Sequence, residues 1–137
     1  MNLDPSAFVA DPSLITSLER GSTPVPCGEN CILFRQGDEA TGLYILRSGH
    51  VTLTMNSALG ETVVSATAGS GSLLGLPGVI GNEAYSLTAV ALAGAQVSYV
   101  TRENFMQLMG ADPMLSFKIL TVLAAEVRSA RSVILQR

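Results

Sequence analysis

Charge is scarce in this chain, and positive charge scarcer still. Only 14% of the 137 residues are charged, with eight Lys and Arg against eleven Asp and Glu, a net charge of −3. Nucleic-acid modules carry a basic face, so direct nucleic-acid binding by this chain is not expected. Three of the cations, Arg128, Arg131 and Arg137, fall in the last ten residues. They suit the negative end of a helix; a phosphate-contacting patch is the alternative. No apolar run reaches the roughly 18 residues that span a bilayer, so no membrane association is expected. The start, M-N-L-D-P, has neither the basic residues nor the apolar stretch of a signal peptide, and the expected compartment is the cytoplasm.

Metal-ligating and nucleophilic side chains are equally few. Cys27 and Cys31 are the only cysteines, spaced C-x3-C, and His50 is the only histidine. Together they cannot complete a four-ligand zinc or iron–sulfur site, so no metal is expected. The cysteines read as two small, partly buried residues flanking a turn. A redox-switching pair stays open, whereas a cytoplasmic setting argues against a structural disulfide. Catalysis finds no support either. A cupin-type enzyme needs several metal-binding histidines or a carboxylate cluster, and His50 has no evident nucleophile beside it.

What the chain does have is apolar bulk and turns. Hydrophobic residues make up 47% of it, enough for a packed core in one domain and for some apolar surface covered by a partner. The stretch from Leu33 to Val51, L-F-R-Q-G-D-E-A-T-G-L-Y-I-L-R-S-G-H-V, sets short strands between Gly-marked turns, which suggests a β-roll or jelly roll. Strands are expected over Ile32–Phe34, Leu43–Arg47, Val51–Met55, Thr62–Thr67, Ser86–Leu92 and Gln96–Val100. The residues 57–61 and 93–95 read as hairpin connections. Val51 to Met55 alternates apolar with hydroxyl side chains, the pattern of a half-buried strand.

Helices flank the roll. Asp11-Pro12 ahead of Leu14, Ile15 and Leu18 reads as a capped short helix stopped by Gly21, Pro24 and Pro26. Phe105, Met106, Leu108 and Met109 predict another helix ending at Gly110. Asp112-Pro113 repeats the cap and opens a long helix, whose positions Leu120, Leu123, Val127, Ala130 and Ile134 step by 3, 4, 3 and 4. Such a seam predicts homodimerisation through this helix; packing on the chain's own sheet is the alternative. The expected whole is one domain over residues 1–137, mainly β with α. Its parts are a β-roll (double-stranded jelly roll) over 31–101, a short N-terminal helix and a long C-terminal dimerisation helix over 113–136.

With the elements in this order, and with F-R-Q-G-D-E-A-T-G-L-Y-I-L-R-S-G-H-V over 34–51, the chain resembles the sensor half of the Crp/Fnr regulators. The resemblance runs from residue 31 to 136, and no helix-turn-helix follows within the 137 residues. It implies a ligand inside the roll, held by a phosphate-binding cassette of Gly-Glu-Leu followed later by Arg-Ser or Arg-Ala. Gly75 matches the cassette glycine and Ser86 the residue after the arginine. Leu76 stands in the place of the glutamate and Tyr85 in that of the arginine. No Lys or Arg occurs between Arg47 and Arg102, so the cassette lacks its cation. The resemblance implies a binding site at Gly75, Leu76, Gly78, Val79, Tyr85, Ser86 and Thr88. Backbone N–H groups near Gly75, Gly78 and Val79 could favour an anion; the glycines could equally be tight turns.

The functional expectation is a non-enzymatic sensor module of signalling or transcription regulation, binding cyclic AMP or cyclic GMP weakly or taking another ligand. The alternative is a structural or interaction domain whose pocket is closed by Leu73, Leu74 and Leu76.

Overall fold

The computed structural model describes residues 2–135, with the side chains of residues 134 and 135 left out. Eight strands form two four-stranded antiparallel sheets. They are β1 (Thr23–Val25), β2 (Cys31–Phe34), β3 (Gly42–Ser48), β4 (Val51–Asn56), β5 (Thr62–Ala68), β6 (Ser72–Leu74), β7 (Thr88–Ala91) and β8 (Gln96–Thr101). One sheet has the order β1-β8-β3-β6 and the other β2-β7-β4-β5. Four helices accompany them: α1 (Pro12–Glu19), α2 (Leu76–Gly81), α3 (Arg102–Ala111) and α4 (Pro113–Leu135). A 3₁₀ turn covers Pro5–Phe8. This is the β-roll with a short N-terminal and a long C-terminal helix that the sequence suggested.

Local chemistry sets the helix starts. The Asp11 carboxylate accepts from the Ser13 N–H at 2.8 Å, with Pro12 fixing the first turn. Asp112 repeats the arrangement, accepting from the Met114 N–H at 3.0 Å. The helix expected to stop at Gly110 continues to Ala111, and α3 and α4 then diverge by 120°. No single helix among the described residues is long and apolar enough to cross a membrane.

Strand β3 is the spine of the core. Leu43, Ile45 and Leu46 are all fully buried, so both of its faces are covered. Its register pairs Leu43 with Val100 and Tyr44 with Leu74. Strand β4 keeps the expected alternation, burying Val51 and Leu53 while Thr52 and Thr54 stay half-buried.

Several features depart from the sequence reading, among them strand β6, which was not expected. The roll begins ahead of residue 31, because β1 pairs with β8 through Thr23↔Tyr99 and Val25↔Val97. Pro24 is tolerated there since β1 lies at a sheet edge. The strand expected from Ser86 begins only at Thr88; just before it, the backbone of Tyr85 bonds the turn at 37–38, donating to Asp38 and accepting from Gly37. Finally, Cys27 and Cys31 are joined in a disulfide, with Cα atoms 5.9 Å apart. A linked pair is one of the readings the sequence leaves open, and the turn between β1 and β2 brings the two side chains together.

Helix α4 buries Leu115, Ile119, Val122, Ser129 and Val133 against the domain. The expected seam is the neighbouring stripe. Leu120 is 59% and Val127 51% exposed, Ala130 is exposed and Leu123 half-buried. The side chain of Ile134 lies outside the described residues. Met114 and Phe117 extend the exposed apolar stripe toward the start of α4.

Candidate functional site

The segment in which the resemblance places the cassette folds as β6, a left-handed residue at Gly75, and the one-and-a-half turns of α2. Gly75 has φ 89°, and a Cβ there would come within 2.8 Å of the Tyr85 ring. A Cβ on Gly78 would meet that of Ala40 at 2.9 Å. Both glycines are therefore set by close packing, and Gly75 also by its backbone conformation. Of the N–H groups of α2, that of Val79 is taken by the Gly75 carbonyl at 3.3 Å.

Tyr85 occupies the centre of this region. Its ring stacks on Phe34 with centroids 4.0 Å apart, and Phe34 and Tyr99 both lie against Tyr44. The Tyr85 hydroxyl donates to the Gly42 carbonyl at 2.7 Å and accepts from the Gly42 N–H at 3.3 Å. Burial pushes the Tyr85 phenol above its ordinary value and that of Tyr44 up to about 12, so both are neutral donors at physiological pH.

The space remaining beside Tyr85 is about 20 Å³. A site needs roughly 10–15 Å³ to seat one water, so this cavity holds one or two waters and no nucleotide. Of the residues singled out from sequence, Leu74, Gly75, Gly78, Tyr85 and Ser86 line it. Leu76 and Val79 do not; both are fully buried in the hydrophobic core. Thr88 is occupied elsewhere, its hydroxyl accepting from the Gln36 N–H at 2.9 Å. The guanidinium bonded to α2 is that of Arg102, donating to the Val79 carbonyl at 2.9 Å, and Arg102 does not line the cavity.

A larger space lies alongside. A groove of about 390 Å³ runs between α4 and the β4–β5 pair, with Met55, Val64, Leu87, Leu123 and Val127 among its walls. Glu126 lines both this groove and the small cavity. The residue as a whole is only partly covered, yet its Oε2 is sealed from solvent and has no hydrogen-bond partner among the described residues. Burial pushes its carboxyl up to about 8, so it is largely protonated at neutral pH. Sequence reasoning missed it. The available signal was its isolation: Glu126 is the only carboxylate after Asp112, and it stands four residues beyond Val122, on the face that packs inward.

Comparison with known proteins agrees with this architecture. The family described as the cyclic nucleotide-binding domain matches residues 24–112. The chain is 30% identical over 110 residues to the anaerobic regulatory protein of Aggregatibacter actinomycetemcomitans, covering 80% of this chain and 42% of that protein. It is 29% identical over 98 residues to the cyclic AMP receptor protein of Thermus thermophilus, covering 72% of this chain and 45% of that one. It thus spans less than half the length of either relative. The crystal structure of the catabolite activator protein of Thermus thermophilus superposes with a TM-score of 0.79 at 23% identity, over 96% of this chain and 62% of the other, a likeness of fold. The eight-stranded roll and the family match over residues 24–112 together establish that this chain belongs to the cyclic nucleotide-binding domains of the Crp/Fnr type.

Proposed function

We propose that this domain is a non-enzymatic sensor module whose cassette no longer holds a cyclic nucleotide in the family's manner. It responds to another ligand, or to cyclic AMP or cyclic GMP only weakly, and passes the response on through a homodimer formed along α4. The observation that carries this reading is Tyr85. It stands where the resemblance implies a cation, its hydroxyl is committed to Gly42, and its ring leaves about 20 Å³. Losing a cationic and a carboxylate partner, each contributing roughly 1.5–3 kcal/mol, weakens binding by about 3–6 kcal/mol. That is on the order of a hundred- to ten-thousandfold in dissociation constant.

The names of the relatives, an anaerobic regulatory protein and a cyclic AMP receptor protein, support a role in signalling or transcription regulation. The exposed apolar stripe of Leu120 and Val127 supports the dimer. The small number of cations supports the absence of direct nucleic-acid contact by these residues. A cytoplasmic setting belongs to the same reading, with the Cys27–Cys31 bond its least comfortable feature. Titration calorimetry with cyclic AMP and cyclic GMP tests the proposal. Millimolar or weaker binding is expected, and micromolar binding would overturn it.

The small cavity favours a second reading, a structural or interaction domain with a closed apolar pocket; of Leu73, Leu74 and Leu76, Leu74 lines the cavity, and Tyr85 lines it beside Leu74. A thermal-shift screen separates the two. A ligand at a hundred times its dissociation constant adds about 2.7 kcal/mol and raises the melting temperature by several degrees. Flat melting across nucleotides and other metabolites would favour the structural reading.

A further inference from the structure

We infer that the groove between α4 and the β4–β5 pair binds a small, uncharged, largely apolar molecule with one edge that both donates and accepts a hydrogen bond, as a primary carboxamide does, and that Glu126 reads that edge. The inference rests on the sensor reading above and names the class of its ligand. Three observations carry it. The groove's volume, about 390 Å³, falls in the range of small-molecule sites, roughly 300–1,000 Å³, while the cassette cavity does not. Its walls are apolar apart from Ser86, Ser129 and Glu126, and the Ser129 hydroxyl already accepts from the Asp4 N–H at 2.8 Å. Glu126 Oε2 is buried there with no partner among the described protein groups, and a buried polar atom left unpaired by protein calls for an ordered water or a ligand.

The protonation state selects the chemistry. The elements packed around Glu126 bring no ionised group: Phe8 comes from the 3₁₀ turn, Pro77 from α2, Leu87 from the segment before β7, and Met55 and Val64 from β4 and β5. Tyr85 is the other titratable residue lining either space, and its hydroxyl is held by Gly42. Arg128 and Asp4 line a separate groove with Ser6 and Ser132. With desolvation as its sole perturbation, Glu126 is a neutral acid that presents one donor and one acceptor side by side. A carboxamide edge is its complement. An anionic ligand would bring a desolvated charge with no cation among the groove's lining residues to neutralise it. Val127 and Ala130 share the groove wall and belong to the exposed stripe of α4, so an occupant would touch the dimer seam directly.

The test uses 2-naphthamide as the probe, followed by its intrinsic fluorescence, with the full chain at pH 7 and pH 9. Binding is expected at pH 7 and about tenfold weaker at pH 9, the ratio of neutral fractions for a carboxyl titrating at about 8. Glu126→Gln, which keeps a donor and an acceptor, should bind at both pH values without that loss. Glu126→Leu should lose at least tenfold in affinity while melting no lower than wild type. Equal affinity at pH 7 and pH 9, or full affinity in Glu126→Leu, would overturn the role of Glu126 while leaving the sensor reading intact. Absence of 2-naphthamide binding in both wild type and Glu126→Gln would overturn the ligand class. Only flat melting against nucleotides and other metabolites as well would remove the sensor reading.

Discussion

The hydroxyl of Tyr85 bonds both backbone groups of Gly42, donating to the carbonyl at 2.7 Å and accepting from the N–H at 3.3 Å across 43 residues of sequence. The contact ties the loop between α2 and β7 to the start of β3. A Cβ on Gly42 would lie 2.3 Å from the Val100 carbonyl and 2.7 Å from the Tyr99 ring, so glycine is required where the two strands and the tyrosines meet. Replacing Tyr85 by Phe keeps the stack on Phe34 and removes only the hydroxyl. We expect Tyr85→Phe to lose about 1–2 kcal/mol, the usual consequence of stripping a buried backbone carbonyl of its donor. Urea unfolding checks this; an unchanged midpoint would mean that water takes over the hydroxyl's role.

The exposed stripe of α4 makes a separate prediction. Val127 is 51% exposed, so Val127→Glu should leave the fold of one protomer intact, within about 0.5 kcal/mol. If α4 pairs with a second copy, the same change places two carboxylates in a desolvated seam and should convert dimer to monomer. Sedimentation equilibrium reads the mass directly. A wild-type monomer, or a dimer unaffected by the substitution, would assign the seam no role in self-association.

The parts of this architecture visible in sequence were those fixed by short-range chemistry. Asp11-Pro12 and Asp112-Pro113 carry their own caps, and the turn glycines 37 and 49 hold φ 92° and 88°, a conformation other residues avoid. Strands β1 and β6 were not visible, because three-residue edge strands exist only through their partners, β8 and β3. For α4 the heptad spacing was legible, but two adjacent stripes share it. Only packing shows that Ile119, Val122 and Val133 face the domain while Leu120 and Val127 face outward. That no Lys or Arg falls between Arg47 and Arg102 was legible at once. That Tyr85 stacks on Phe34 and bonds Gly42 was not, because both partners lie more than forty residues away in sequence.

The Cys27–Cys31 bond closes a very short loop, and chain-entropy arguments assign such a loop only about 2 kcal/mol. Cys27 lies in the connection from β1 to β2 and Cys31 opens β2, and neither lines the cavity beside Tyr85. We expect a phosphine reductant to lower the melting temperature by several degrees without changing the far-ultraviolet circular dichroism. A thiol titration should find no free thiol in the native oxidised protein and both after reduction. Two free thiols before reduction would show that the bond does not form in solution.

Glu126 should impose a pH dependence on stability whose sign follows from burial. In the unfolded chain its carboxyl titrates near the ordinary 4.5, whereas in the folded domain it titrates at about 8. The folded state therefore holds the proton over an interval in which the unfolded state has released it. The resulting stability is fully present below the unfolded value, declines through the interval at up to roughly 1.4 kcal/mol per pH unit, and is gone above about 8. Unfolding free energies measured between pH 5 and pH 9 should fall along this limb in the wild type and less steeply in Glu126→Gln, which has no proton to lose. Glu126→Leu should also be flatter and should exceed wild type most clearly at the alkaline end, where the native carboxylate must be buried in charged form or drawn out to water. Parallel profiles for wild type and Glu126→Gln would place the ionised carboxylate in solvent, and its Oε2 could then no longer be regarded as sealed within the groove.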